Sequence, residues 1–496
     1  MESVTFFCIT IFIALFSLFL YITKLALFSA SCKCDVCKSY LTRSWSPEFD
    51  NLSDWYAHLL RRSPTGTIHI HVLNNIITAN PENVEHMLKN NFQNYPKGRR
   101  FYAILGDLLG KGIFNVDGHS WRFQRKIASL ELGSVSIRTH AFEIVSSEIQ
   151  NRLLPLLTSV QNGAFDLQDV FRRFAFDTTC RFSFGYDPEC LRSSVSDTGS
   201  DDDSSLPVSD FAVAFDVASA LSAKRAMTVT PLVWKMQRLL NLGDERKLKE
   251  AIRKIDLLAG DLINHRREVG FSTQKDLLSR FMGTITDDRY LRDIVVSFLL
   301  AGRDTVAAAL TSFFWLVAQH PEVEQAIRAE SDRVKTSEGN PSFGEMREMH
   351  YLQAALYESM RLFPPVQFDS KFCQADDTLP DGTRVGKGTR VTYHPYAMGR
   401  MERVWGSDCL EFKPERWLEK GVFRPVSAFK YPVFQAGVRV CLGKEMAMME
   451  MKSVALALIQ QYDIRVAPKV NQTPQFVPGL TATMKGGLPV VIHDRR

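Results

Sequence analysis

The stretch 290–319 constrains the fold of this 496-residue chain more than any other. Its periodicity is helical over about 30 residues and is closed by His320-Pro321, so the helix is roughly 45 Å long. Apolar runs flank a central Ala301-Gly302-Arg303-Asp304-Thr305. A membrane span would carry this Arg-Asp pair at its middle, where charge is expensive in lipid. The stretch is therefore read as a helix buried in a large soluble body. Gly302 makes room in it, and Asp304 and Thr305 set an acid and a hydroxyl side by side. Such a break in the packing pattern marks a functional site; the plainer alternative is a threonine bonded back to its own helix.

The chain can bury the core this requires: 45% of its residues are apolar, and 34 phenylalanines against 13 tyrosines point to a dry interior. A net charge of +5 is mild for this size and argues against a nucleic-acid partner. Residues 4–22 are almost wholly apolar, about the ~20 needed to cross a bilayer. The acidic start and the length of this run do not suit a cleaved signal peptide. Lys24, Lys33, Lys38 and Arg43 follow it, and positive residues stay cytoplasmic. The expectation is a signal-anchor helix in 1–24, a hinge in 25–49 and a cytosolic body in 50–496, held at the endoplasmic reticulum. The glycosylation sequons at Asn51 and Asn471 then go unused.

Nine cysteines show no disulfide-scaffold spacing, which fits a reducing compartment. Cys32-Lys-Cys34-Asp-Val-Cys37 begins like a zinc site but has no fourth ligand near it in the chain, so it is read as a reduced, solvated segment. Residues 67–73 alternate like a strand, which puts His69 and His71 on one face, read as solvated, with 76–79 pairing back. Glycine and proline in 94–110 suggest a partly irregular loop. Trp121 and Arg125, one helical turn apart, can hold an anion or form a surface cation–π pair. The acidic tract 193–205 reads as a surface loop. Glu358 and Arg361 share a face of the helix 351–362, ended by Pro364-Pro365. Near the C-terminus, Phe434-Gln-Ala-Gly437-Val-Arg439-Val-Cys441-Leu-Gly443 leads into a helix. A thiolate needs positive surroundings, which the helix start and Arg439 supply. The run suits a bed for a flat, metal-bearing cofactor; the alternative is a turn with a structural cysteine.

In this order the motifs resemble the cytochrome P450 superfamily over residues 50–496. Phe434-x-x-Gly437-x-Arg439-x-Cys441-x-Gly443 is similar to its haem-binding loop, and Ala301-Gly302-x-Asp304-Thr305 to its oxygen-activating helix motif. Glu358-x-x-Arg361 with Arg416 is similar to its helix pair and third member, and Trp121-x-x-x-Arg125 to its propionate helix. The resemblance implies a mostly α fold with smaller β-sheets and a single large haem domain. It implies haem b with Cys441 as axial thiolate, and propionates held by Trp121, Arg125, Arg439 and Lys371. It implies a buried Glu358–Arg361–Arg416 network, and proton delivery by Asp304 and Thr305 in a mono-oxygenase. Electrons would come from NADPH through a reductase in the same membrane, docking near the cysteine loop through residues such as Lys126 or Lys444. The proline-rich hinge of microsomal members has no counterpart before Pro47.

Within the superfamily, Asn94-Tyr-Pro-Lys-Gly98 and 104–126 look like the plant branch that hydroxylates fatty-acid chain ends. Residues 130–136, 361–371 and 478–483 look closest to members that oxidise jasmonoyl-isoleucine to its 12-carboxy form. That implies a small amphipathic carboxylate in a channel walled by Ala301, Val366, Phe368 and Thr481, with an anchoring cation that the sequence does not identify. The alternatives are a general fatty-acid ω-hydroxylase, a non-catalytic haem-binding membrane scaffold, and a hydroperoxide-rearranging enzyme that needs no reductase.

Overall fold

Asp287 starts the central helix by accepting from the Arg289 N–H, and several other helices pack against it. The computed structural model describes residues 17, 32, 34–160, 163–191, 210–271, 276–334, 342–467 and 473–495. Apart from residue 17, the expected anchor lies outside the described residues, as do the acidic tract 193–205 and Asn471. The helix Asp288–Val317 runs as two α-helical halves, Asp288–Leu299 and Thr305–Val317, joined by a π turn at Leu300–Asp304. Every residue from Val306 to Val317 is buried. It is the one described helix apolar and long enough to cross a membrane, but 78% of its most apolar window lies inside the protein. Around it pack the helices Leu167–Phe184, His350–Leu362 and Lys444–Gln461. At Gly302 a side chain would strike Thr179, 2.3 Å from the Cβ position, so the glycine does make room, for the neighbouring helix.

The fold is mostly helical, with small sheets at the edge. One sheet orders its strands Thr67–Ile70, Asn75–Thr78, Arg390–Tyr393, Asp369–Phe372, and the middle pair is parallel. A second joins Tyr462–Val466, Pro489–Asp494 and Phe165–Asp166. Asn51 is buried and hydrogen-bonded to Asp54, Pro474 and Phe476, which closes that sequon to modification.

Two expectations are corrected. The strand 67–73 stops at Ile70, and His71–Leu73 forms a 3₁₀ turn instead. Alternation alone does not show where a ladder loses its partner: Ile70 pairs with Asn75, and the tight return at Asn74 leaves no room for a longer ladder. Residues 94–110 are not mainly loop, because Gly98–Leu109 is a helix. Its Leu105, Leu108 and Leu109 bury one face; Gly98 and Gly110 lie at its ends, and Gly106 lies inside it beside the Tyr102 ring.

Glu358 and Arg361 have no exposure at all. Arg361 forks onto the carboxylate with Nε and Nη2 at 2.7 and 2.8 Å. Arg416 Nε and the Trp417 indole donate to the same group at 3.2 and 2.8 Å. The remaining N–H groups of Arg361 donate to the carbonyls of Gly399, Cys409 and Glu411, which pins the stretch 399–411 that precedes the cysteine loop. From there Trp417, Tyr431, Tyr357 and Phe434 form an aromatic chain into that loop. Removing one partner strands a buried charge. Glu358→Ala is therefore expected to cost about 3–5 kcal/mol in denaturant unfolding, against under ~1 kcal/mol for an ordinary surface ion pair.

Candidate active site

The cysteine loop is built by short turns and closed by the helix Lys444–Gln461. Gly437 has φ +63, and a side chain there would sit 2.1 Å from the Leu88 carbonyl oxygen, so only glycine fits. Gln435 also takes a positive φ, and its amide holds it there by bonding Asp369 at 3.0 Å and the Tyr393 hydroxyl. The Cys441 N–H closes the loop on the Phe434 carbonyl at 2.8 Å. Cys441 is exposed, but to an internal cavity and not to the outside. Burial pushes its thiol pKa up, against the Gly443 and Lys444 N–H groups and the charges of Arg125 and Lys444. A coordinated metal would remove that proton outright.

The cavity measures about 920 Å³, at the upper end of the ~300–1,000 Å³ usual for small-molecule sites. Cys441, Thr305, Trp121, Arg125, Arg439 and Lys371 all reach it, and so do the expected channel walls Ala301, Val366, Phe368 and Thr481. Arg439 donates to Asp117 at 2.6 Å and lies 4.7 Å from the Trp121 ring centre. Asp117 also accepts from the Lys97 and Gly98 N–H groups at 3.0 and 2.9 Å. Lys371 is 3.0 Å from Asp369, and Lys97, which the sequence motifs did not single out, is 2.5 Å from the same carboxylate. Burial alone would raise the Asp369 carboxyl, but the two ammonium groups outweigh it and hold it well below the usual range. Two lysines thus share one aspartate, Arg439 is matched by Asp117, and Arg125 has no carboxylate partner among the described residues. Burial pushes the Lys371 ammonium well below its ordinary range, so the unanswered charge beside the inward-facing thiol in this apolar cavity rests chiefly on Arg125. That donor set fits a flat iron porphyrin with two carboxylates. Lys371 contributes through the shared Asp369 and is not a free cation.

At the central-helix motif, only one of the two expected polar groups faces the cavity. The Thr305 hydroxyl lines it and donates to the Ala301 carbonyl at 2.5 Å. Asp304 does not line it; it turns to Arg303 at 2.8 Å. Arg303 also donates to Asp216 at 3.1 Å, and Asp216 pairs with Arg172 at 2.9 Å. The expectation of an acid beside a hydroxyl is corrected accordingly. Successive helix residues point about 100° apart, so with Thr305 at the cavity Asp304 turns away from it and becomes the inner end of a charged chain that reaches half-exposed Asp216. Burial pushes the Asp304 carboxyl up, and Arg303 opposes that.

One further cation lines the cavity and escaped sequence reasoning. Arg390 donates through Nε to Ser370 at 2.9 Å and through Nη1 to the Ala226 carbonyl at 2.8 Å. It has no carboxylate partner within ion-pair distance among the described residues; burial lowers its pKa, and Tyr40 and Tyr56 oppose that. Only its place at the start of an interior strand, paired with Asn75 of one neighbour and Phe372 of the other, brings it to the site.

The family model described as cytochrome P450 matches residues 52–488. Cytochrome P450 94C1 of Arabidopsis thaliana is 62% identical, over 98% of this chain and 97% of its own length. Cytochrome P450 94B1 of Arabidopsis thaliana is 48% identical over 91% and 89%. Cytochrome P450 94A1 of Vicia sativa is 44% identical over 89% and 86%. Among solved structures, the cytochrome P450DA heme domain superposes with a TM-score of 0.69 at 19% identity, covering 85% of this chain and 88% of that one. A triple mutant of it reaches 0.73 at 20% identity, over 90% and 93%. At that identity the likeness speaks for the fold alone. With the cysteine loop, the cation set and the matched length all in agreement, the chain belongs to the cytochrome P450 family of haem-thiolate mono-oxygenases, which use O₂ and NADPH-derived electrons delivered by a reductase.

Proposed function

We propose that this mono-oxygenase oxidises the terminal carbon of a carboxylate-bearing chain, with jasmonoyl-isoleucine and its 12-hydroxy form as substrates and the 12-carboxy form as product. The observation that carries this reading is Arg390: a guanidinium on the cavity wall with no carboxylate partner among the described residues, additional to the cations that suit a porphyrin. A forked guanidinium suits a carboxylate, and apolar walls suit the chain behind it. Similarity to plant cytochromes P450 of the 94 group supports the same reading.

The roles follow from the geometry. Cys441 is read as the axial ligand, and Trp121, Arg125 and Arg439, with Lys97 and Lys371 around Asp369, hold the carboxylate edge of the cofactor. Bound there, the haem supplies the oxygen chemistry, and a thiolate ligand favours O–O cleavage. Arg390 holds the substrate carboxylate, while Ala301, Val366, Phe368 and Thr481 line the path of the chain. The Thr305 hydroxyl donates its hydrogen bond to the Ala301 carbonyl and keeps its lone pairs for a donor in the cavity, so it positions a water or hydroxyl there. Asp304 is read as the proton-delivering acid; Arg303, which stays charged, and Asp216 hold it on the side away from the cavity. The anchor reading adds a cytosolic body at the endoplasmic reticulum membrane. Lys126 is exposed and suits reductase docking, whereas Lys444 is half-buried and faces the rings of Tyr357 and Phe434. A general fatty-acid ω-hydroxylase is the second reading, because it needs the same walls and the same cation.

Two measurements test this. With a plant reductase, competition between 12-hydroxy-jasmonoyl-isoleucine and a medium-chain fatty acid is expected to favour the conjugate. Arg390→Ala should then raise KM by about 10- to 100-fold, the weight of one or two charge-assisted hydrogen bonds, with kcat little changed. Preferential turnover of the fatty acid would overturn the substrate, and an unchanged KM would overturn the anchor. Thr305→Ala is expected to retain haem and its reduced carbon-monoxide spectrum while diverting electrons from product to peroxide and water. Unchanged coupling of O₂ use to product would remove Thr305 from this role.

A further inference from the structure

The three cysteines of the entering segment meet a histidine 34 residues further along the chain. The sulfur atoms of Cys32, Cys34 and Cys37 and the His71 nitrogen all lie within 4.8 Å of one another. His71 Nδ1 is 3.5, 3.9 and 3.9 Å from the three sulfurs in turn. Zinc–sulfur bonds of ~2.3 Å and a zinc–nitrogen bond of ~2.0 Å at tetrahedral angles would place S and N about 3.5 Å apart. We propose that Cys32, Cys34, Cys37 and His71 bind one zinc ion in a closed, four-coordinate structural site. Such a site is independent of which substrate the cavity takes.

Local structure explains how the four converge. Cys34 caps the helix Asp35–Thr42, and its sulfur accepts the Cys37 N–H at 3.5 Å. The helix N-terminus supports thiolate charge there. Cys37 follows in the first turn and is buried. The fourth ligand exists because the strand Thr67–Ile70 gives way to the 3₁₀ turn that carries His71. The reading of a solvated cysteine segment beside a solvated histidine face is thereby replaced. Three soft thiolates and an imidazole suit zinc, and four protein ligands leave no open position for chemistry.

The site has a structural consequence. The helix it clamps brings Tyr40, Leu41 and Arg43 to the cavity wall, and the Tyr40 hydroxyl donates to the Met227 carbonyl at 2.8 Å. Tyr40 and Trp45 stack on Trp55 with ring centres 6.4 and 5.8 Å apart. Zinc would fix this wall to the sheet that carries Arg390.

The test uses the untagged full-length protein with its haem. Elemental analysis is expected to find about one zinc per chain, and the zinc absorption edge about three sulfurs at ~2.3 Å and one nitrogen at ~2.0 Å. The double variant C34S/C37S should lose the zinc while keeping the reduced carbon-monoxide spectrum, and His71→Cys should retain zinc with four sulfurs. Wild-type protein with no more zinc than the double variant, or a zinc shell of oxygen and nitrogen only, would overturn the proposal. Should the double variant fail to fold, alkylation of wild-type protein decides. Protection of these three cysteines that vanishes on chelation supports the site, and equal labelling with and without chelator refutes it.

Discussion

A thiol that faces an apolar cavity beside an uncompensated guanidinium is a costly combination that an occupant can relieve. Burial works against ionising Cys441, and half-buried Arg125 has no carboxylate to answer it among the described residues. Each of these costs is offset only when something brings a cation to the sulfur and anions to the guanidinium. A metal porphyrin does both at once. The surrounding architecture serves to hold these unfavourable groups in place.

Two rigid supports do the holding. On one side, Glu358 gathers Arg361, Arg416 and Trp417, and the aromatic chain through Tyr431 and Tyr357 carries that rigidity to Phe434. On the other, the central helix points neighbouring residues different ways: Thr305 stays at the cavity, while Asp304 joins the ion-pair chain to Asp216. A shared site for acid and hydroxyl would have buried an unpaired carboxylate. The division avoids that penalty and leaves a charged path from the surface.

Much of this is legible in the chain because it is local. The glycines around Cys441, the Glu358–Arg361 turn, the Trp121–Arg125 turn and the mid-helix charges are each set by neighbours within a few residues. The groups that sequence reasoning misses are products of topology. Lys97 meets Lys371 only through Asp369, Arg390 reaches the cavity across a sheet, and His71 meets the cysteines only because a strand ends earlier than its alternation suggests. The helix Gly98–Leu109 is hidden for a related reason: glycine frequency says nothing about whether the residues lie inside an element or at its ends.

The central claim is that the Cys441 sulfur is the protein's ligand to the haem iron. Its most direct measurement is the reduced carbon-monoxide spectrum of Cys441→Ser beside that of the parent protein. The thiolate-type absorption band is predicted to vanish while the fold, followed by circular dichroism, persists. An unaltered band in the serine variant would contradict the assignment.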